Sequence, residues 1–362
     1  GGAGAAGMNA PFALASGAVR LTDLADRGDC ERLDRFVMEH PDSEVFHRPQ
    51  WSLAVERGCG QRSHYLLAED KRGELIGCLP LTEIRSLIFG SALVSVGFGT
   101  GGGILATNDA AAAALAEAAW ALASRLGCRT VELRGGRLPD DWPVQEGVYA
   151  GFAKPLPQGD EAILKSIKRR HRSIRRAQAF EMETRCGRRP EDLAALVAAY
   201  GESVRNLGSP LYPPALFAAM LELFGENADI LTVFKNGRPY ASTLSFYFKD
   251  TVIAYWGGGV REARDCFANE LMYFEIMRHA SRRGYTRFDF GRSKVGSGPY
   301  AFKTLWGFEP QPLRYAVRAA DGQPPRNINP LDPKYRLQVA AWQKLPLWLA
   351  NRVGPVIARG LG

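Results

Sequence analysis

Apolar positions along this chain follow two alternating rhythms. Over 23–38, Leu24, Leu33, Phe36 and Val37 share one side of a 3.6-residue repeat with charges opposite, which predicts an amphipathic helix. A second short helix is predicted over 46–55, entered after Pro49 and carrying Trp51 and Leu53. The rhythm then shortens. Strands are predicted over 64–68 and 74–84, joined by the charged turn Asp70-Lys71-Arg72-Gly73, and over 91–97. Asn108 is placed to cap an alanine-rich helix over 110–126 that Gly127 ends. A strand follows over 129–133. A stretch rich in Gly, Pro and Asp over 135–160 reads as a connection with one strand near 148–153.

The second half repeats this plan. Strands over 230–235 and 240–248 flank Asn236-Gly237, a strong hairpin signal, and a third is predicted over 251–257. A helix over 267–283 ends at Gly284, and a strand follows over 286–290. Leu126-Gly127-Cys128-Arg129-Thr130-Val131 and Arg283-Gly284-Tyr285-Thr286-Arg287-Phe288 are both helix end, glycine, strand. Matched landmarks of this kind predict a duplicated unit of about 160 residues. The expected domains are therefore 8–157 and 158–320. Gly1–Gly7, before Met8, reads as an expression scar. Residues 321–362 read as a Pro- and Asn-rich linker and an amphipathic tail containing Trp342 and Trp348. That tail suits docking on the protein's own surface, with peripheral contact to a membrane face as the alternative.

Composition narrows the classes. A chain of 362 residues with 46% hydrophobic content has room for two packed α/β domains. The six cysteines are widely spread and no Cys/His pair has zinc spacing, so neither a metal site nor a disulfide framework is expected, and a reducing cytoplasm fits. Neither a signal-peptide-like apolar run nor a membrane-spanning one is found. The histidines form no HExxH and there is no Gly-x-Ser-x-Gly elbow. The glycine-rich run Gly97–Gly103 lacks the Lys-Ser/Thr of a P-loop and reads as a turn, or a place where backbone approaches a ligand.

The formal charge is +8, and much of it is concentrated. Lys165, Lys168, Arg169, Arg170, Arg172, Arg175 and Arg176 fall within about three turns of one predicted basic helix over 165–176, with Ile163, Ile167 and Ile174 as a partial apolar stripe. Lys168, Arg169, Arg172, Arg175 and Arg176 are the candidate anion or donor contacts: tRNA phosphates, the acidic face of an acyl-carrier protein, or a lipid-linked phosphate. A solvated helix face is the plainer reading. His171 lies inside the run and can equally be structural.

The most informative stretch is 287–308. A strand over 287–290 is followed by Gly291, Gly296 and Gly298, which permit turns with positive φ, and by Arg292 and Lys294. Pro299 fits the first turn of a helix carrying Tyr300, Lys303 and Trp306, which Gly307 ends before Phe308 begins another strand. A strand, a glycine loop with cations and a helix can cradle an anion, or form a solvated turn. Only the second copy has these additions, which places the chemistry there.

The duplication, the basic helix at the head of the second copy, and Phe288-Asp289-Phe290-Gly291-Arg292-Ser293 with Gly298-Pro299-Tyr300-Ala301-Phe302-Lys303-Thr304-Leu305-Trp306-Gly307-Phe308 together resemble the FemAB-like branch of the GNAT superfamily. More narrowly they resemble the FemAB proteins associated with exosortase/PEP-CTERM systems of exopolysaccharide-making Gram-negative bacteria. The resemblance spans about residues 20–320. It implies tandem GNAT-like domains, mixed twisted sheets flanked by helices, in an α/β (α+β) chain. It implies transfer of an aminoacyl or acyl group to an amine of a cell-envelope, peptidoglycan or exopolysaccharide precursor. The donor, aminoacyl-tRNA or an acyl-CoA or acyl-carrier protein, would be a co-substrate with no resident cofactor. The expected place is the cytoplasm, with peripheral contact at the inner membrane as an alternative that the tail leaves open. Lys303 matches the family's Phe-Lys lysine near the acceptor. The turn over 257–267 departs from the Arg/Gln-x-x-Gly-x-Gly pattern of CoA-binding members, and no long coiled-coil insertion is seen.

Making an amide needs a neutral amine, a proton acceptor and a stabilised oxyanion. Lys303, Arg292 and Lys294 can bind an anion or stabilise that oxygen, and Tyr300, on Lys303's helical face, can donate a hydrogen bond. Asp289 can orient a cation or act as base, although a strand charge of this spacing more often faces solvent. Asn269 and Glu270 read as helix N-terminal residues, Asn269 as the cap, or as polar contacts in the cleft. Tyr255 and Trp256, before three glycines, can wall the acceptor site or belong to the core. Two other classes stay open: a CoA- or carrier-dependent N-acetyltransferase, and a non-catalytic protein that holds an anionic polymer or membrane.

Overall fold

The computed structural model describes residues 12–13, 18–22, 24–86, 90–320 and 333–362. The first copy runs β1 (Phe12–Ala13), β2 (Ala18–Thr22), α1 (Arg27–Glu39), α2 (Pro49–Cys59), β3 (Arg62–Glu69), β4 (Leu75–Ser86), β5 (Gly90–Ser95), β6 (Leu105–Ala106), α3 (Asp109–Leu126), β7 (Thr130–Arg134) and β8 (Val144–Gln145). Next come β9 (Tyr149–Pro155), α4 (Asp160–Ser166), α5 (Lys168–Ala177), β10 (Met182–Gly187), α6 (Pro190–Leu207) and α7 (Pro214–Phe224). Then follow β11 (Ala228–Lys235), β12 (Arg238–Phe248), β13 (Thr251–Gly259), α8 (Ala268–Arg282), β14 (Arg287–Lys294) and α9 (Gly298–Thr304). The chain finishes with β15 (Gln311–Pro312), β16 (Tyr315–Ala319), α10 (Pro333–Gln343) and α11 (Leu347–Ala358).

Local chemistry explains the boundaries. The Asn108 side chain accepts from the Ala111 N–H at 2.8 Å, and Gly127 closes α3 in the left-handed region at φ 68°. Asn236 and Gly237 both have positive φ, 51° and 72°, as a two-residue hairpin turn matched to strand twist requires. Leu33 and Val37 are the buried face of α1.

Two compact units result. One comprises Gly1–Glu146, Leu313–Ile328 and Arg359–Gly362; the other comprises Gly147–Pro312 and Asn329–Ala358. The first sheet has the order β1-β2-β3-β4-β5-β7-β16-β8, with β6 beside β4, and β5 runs parallel to β7. The second has the order β10-β11-β12-β13-β14-β9-β15, with β13 parallel to β14. The repeat is plain: a hairpin, a third antiparallel strand, a helix (α3 or α8), and a parallel strand beside the third. Each sheet then takes its next antiparallel strand from outside its own repeat. β9 pairs with β14, and β16 pairs with β7. The units therefore part at Glu146/Gly147, earlier than the 157/158 boundary expected from sequence, because the ladder from Arg287↔Pro155 to Lys294↔Tyr149 places β9 in the second sheet.

Three further expectations change. The basic segment is two helices, broken at Ile167 (φ −115°, ψ 41°), which turns inward and is 1% exposed. Gly291 lies inside β14 as a bulge, so the strand continues to Lys294, and Phe308 is a buried core residue that begins no strand. The linker at 321–332 lies outside the described residues. The tail beyond it packs on its own unit. Trp342 Nε1 donates to the Ser209 carbonyl at 3.1 Å, and Arg205 donates to the Gln343 carbonyl at 2.9 Å. Leu337, Trp348 and Val356 stay exposed. Among the described residues, no helix is long and apolar enough to cross a membrane.

The glycine run of the first unit is a packing device. Gly102 N–H donates to the Glu44 carboxylate at 2.8 Å, and Arg134 donates to the Val96 and Gly99 carbonyls at 3.2 and 2.7 Å. A Cβ at Gly103 would lie 2.0 Å from the Gly135 carbonyl oxygen. The backbone here approaches other backbone. Gly103→Ala is expected to destabilise the protein by about 1–3 kcal/mol through overpacking, read as a lower urea midpoint with unchanged m.

Candidate active site

β13 and β14 pair through Thr251↔Arg287, Val252↔Phe288 and Ile253↔Asp289, and then part. β13 continues along β12, with Gly257, Gly258 and Gly259 opposite Thr243, Ser242 and Ala241, while β14 continues along β9. The parting is built into β14. Its register shifts between Asp289 and Arg292, Gly291 takes φ 68°, and Asp289 Oδ1 accepts from the Gly291 N–H at 2.7 Å.

A cavity of about 780 Å³ opens here. Its strand wall is bare backbone, Gly257 to Gly259. A Cβ at Gly257 would lie 2.0 Å from Thr243 Oγ1, and one at Gly258 would lie 2.2 Å from Ser203 Oγ, so larger residues do not fit. The start of α8 supplies Asn269, Glu270 and Tyr273, and α9 supplies Pro299, Phe302 and Lys303. Arg205, Arg261 and Arg264 also line it. Four cations thus face one carboxylate, which suits an anionic occupant.

Lys303 is 8% exposed. Its Nζ donates to the Arg292 carbonyl at 3.0 Å and approaches the Gly291 carbonyl at 3.4 Å, both presented by the bulge. Burial lowers its pKa to about 8; the Asp289 charge opposes this and Arg292 adds to it. Asp289 is half-buried. Burial raises its carboxyl above the usual range, against the Gly291 N–H and the Lys303 charge. The solvent-facing reading of Asp289 therefore gives way to one in which it holds the bulge and faces the Lys303 charge.

Glu270 is also 8% exposed, and Arg170 Nη1 donates to it at 3.3 Å. Burial raises its pKa, with its own backbone N–H and Arg170 opposing. Asn269 is not the helix cap. Phe267 holds that place with φ 59°, and Asn269 Oδ1 packs 2.5 Å from where a Gly259 Cβ would be.

The other sequence candidates fall elsewhere. Trp256 is buried among Tyr212, Phe217 and Phe246, and half-buried Tyr255 packs on Phe246 and Trp256; neither lines the cavity, whose wall on that strand is the three glycines. Tyr300 sets its ring edge-on to Phe152 at 5.3 Å, and the Arg292 guanidinium stacks on Tyr149 at 4.3 Å. These two and Lys294, at the end of β14, are outside the cavity lining. On α5, Arg169, Arg172, Arg175 and Arg176 are exposed, and the Lys168 side chain lies outside the described set. Arg176 stacks on Phe267, a cavity residue, at 4.6 Å, and Arg175 donates to His171 at 3.0 Å.

Besides the cavity residues Arg205, Arg261 and Arg264, two residues with buried contacts escape the sequence reading. Arg170 turns inward from the basic run, over the Phe302 ring at 5.1 Å and onto Glu270. The signal was present, since Arg170 stands three residues after Ile167 and four before Ile174, on their buried face. Lys154 on β9 donates to the Trp306 and Ser166 carbonyls at 2.9 and 3.2 Å, and burial lowers its pKa to about 8. It ties the end of α4 to the turn after α9.

Residues 163–304, the segment holding this cavity, match the family described as acetyltransferase (GNAT) domain. The chain carries a GNAT acyltransferase domain. No curated protein sequence matches the chain. Among solved structures it is similar to FemX, at 14% identity over 79% of this chain and 95% of that one, with a TM-score of 0.58. It is also similar to a tandem GNAT protein from the clavulanic acid biosynthesis pathway, at 13% identity over 84% and 100%, TM-score 0.52. A third likeness is to the C-terminal domain of a protein assigned as a lysylphosphatidylglycerol synthetase from Agrobacterium fabrum, at 12% identity over 91% and 97%, TM-score 0.52. At such identities the likeness is one of fold. The chain has a tandem GNAT-like fold, with a sheet parted between two parallel strands in the segment that matches the GNAT domain.

Proposed function

We propose that this GNAT protein transfers an aminoacyl or acyl group to an amine on an anionic cell-envelope or exopolysaccharide precursor. The observation that carries the reading is a buried ammonium, Lys303, and a buried carboxylate, Glu270, lining one arginine-rimmed cavity. Glu270 takes a proton from the attacking amine as the C–N bond forms, and returns it to the oxygen or sulfur of the leaving group as the ester or thioester bond breaks. Lys303 stabilises the oxyanion formed between those steps. Arg205, Arg261 and Arg264, with the first N–H groups of α8, bind the acceptor's phosphate or carboxylate. Asp289 positions Lys303 through the bulge. The relatives' names support the substrate class, since lysylphosphatidylglycerol is by its name an aminoacyl derivative of an anionic lipid. Exposed Leu337, Trp348 and Val356 would suit an acceptor held at a membrane surface.

The test is mass spectrometry of an extracted precursor pool after incubation with aminoacyl-tRNA, acyl-CoA or acyl-carrier protein in separate arms. A mass gain in one arm names the donor. No gain in any arm, with no binding of anionic precursor, overturns the proposal.

The exposed face of α5 is the contact for a polyanionic donor. Replacing Arg169, Arg172 and Arg175 together by alanine is expected to weaken binding and to lower the slope of log Kd against log salt by about 2–3. A titration over several salt concentrations checks this. An unchanged slope would remove α5 from the donor site.

A further inference from the structure

Three ligand-type atoms converge at the other end of α8 from Glu270. Cys186 lies near the end of β10, Asp229 is the second residue of β11, and His279 is in the last turn of α8. Their donor atoms all lie within 4.8 Å of one another. At about 1.5 Å per residue along α8, His279 is roughly 13 Å from Glu270, so this cluster is separate from the cavity.

The geometry distinguishes two chemistries. In a nucleophile–base–acid relay the imidazole sits between its partners and uses a different ring nitrogen for each. Here Cys186 Sγ, at 3.9 Å, and Asp229 Oδ2, at 3.4 Å, approach the same atom, His279 Nε2. A relay is excluded, whereas convergence is what a metal ion requires. Zinc bonds of about 2.3 Å to sulfur and about 2.0–2.1 Å to nitrogen or oxygen, set tetrahedrally, put ligand atoms roughly 3.3–3.6 Å apart. The His279–Asp229 separation already fits. The Cys186–His279 separation closes by a few tenths of an ångström, on an exposed side chain of an edge strand.

The surroundings are those of a supported site. Tyr247 OH donates to both Asp229 oxygens, at 3.1 and 3.0 Å, and Arg283 reaches Asp229 Oδ2 at 3.5 Å. Such outer contacts fix a ligating carboxylate. The Asp229 carboxylate, and Cys186 once a metal displaces its thiol proton, supply two negative charges against the Arg283 guanidinium. Exposed Cys186 gives access for the ion and for water as a fourth ligand.

We propose that Cys186, Asp229 and His279 form a zinc-class transition-metal site that ties β10 and β11 to the C-terminal end of α8. On binding, two metal–ligand bonds form to His279 and Asp229, a third forms to the Cys186 sulfur, and the thiol proton passes to buffer. This proposal is independent of the acyl-transfer reading.

The test uses the full chain, freed of metal with a chelator and titrated with Co²⁺ and then Zn²⁺. One equivalent of Co²⁺ is expected to give a thiolate-to-cobalt charge-transfer band that one equivalent of Zn²⁺ removes. Cys186→Ser should abolish the band. His279→Gln should weaken Co²⁺ binding by more than about 100-fold, since even outer-shell changes cost about 10–100-fold. Either variant alone decides the matter if the other does not fold. No band in the wild type, a band that survives Cys186→Ser, or unchanged affinity in His279→Gln overturns the proposal.

Discussion

Lys303→Met is expected to lower acyl transfer by about 10²–10³-fold while making the protein more stable. The two effects share a cause. Burial holds the Lys303 pKa at about 8, below its ordinary value. Between about pH 8 and 10.5 the unfolded chain binds this proton more tightly than the folded one, so stability rises with pH across that window and the full cost is present below it. Removing the charge relieves a cost on the order of 3 kcal/mol at neutral pH. The Arg292 and Gly291 carbonyls lose their donor, which offsets part of this, leaving a gain of about 1–2 kcal/mol. A lysine kept at such a cost for its charge should also shape the pH profile. Transfer should fall as pH rises through about 8, and that limb should vanish in the variant. Calorimetry and a pH–rate profile check both halves. A fully active or less stable Lys303→Met protein would contradict this account.

Glu270→Gln is expected to cost about 10²–10⁴-fold in rate, the usual worth of a positioned general base. Burial raises the Glu270 pKa. The working form is the carboxylate, so wild-type transfer should decline as pH falls through that raised value, and the glutamine variant should show no such limb. The folded carboxyl holds its proton better than the unfolded one, so charged Glu270 opposes folding at neutral pH. Glutamine removes that cost, but it also removes the charge partner of Arg170, and the two changes oppose one another. The melting temperature should therefore move little while the rate collapses. A large loss of stability would instead make Glu270 a structural partner of Arg170.

Much of the fold is legible where the determinants are local. Asn108, Gly127 and the Asn236-Gly237 turn act within a few residues, and the doubled pattern of helix end, glycine and strand exposes the tandem plan. Lys303, Asn269 and Glu270 stand out in the sequence, and the structure brings all three to one cavity. What stays hidden depends on partners far away in the chain. Nothing near Tyr149 says that β9 will pair with β14. The inward turn of Arg170 is masked by the six other lysines and arginines of its run. Asp289 looks like an alternating strand charge until the bulge at Gly291 turns its surroundings inward. Cys186, Asp229 and His279 have no motif spacing, because three different elements bring them together.

The placement of β9 and β16 also bears on the order of events during synthesis. The first sheet extends beyond β7 through β16, so β7, although complete at Arg134, waits for its neighbour until Ala319 has been made. At about 5–20 residues per second that interval is roughly 10–40 s, during which one edge of the first sheet is uncovered. β9 meanwhile is made early and waits for β14. Two repeats that follow one another in the gene therefore mature together, and a truncation at 157 would leave the first half without β16 and the second without β9.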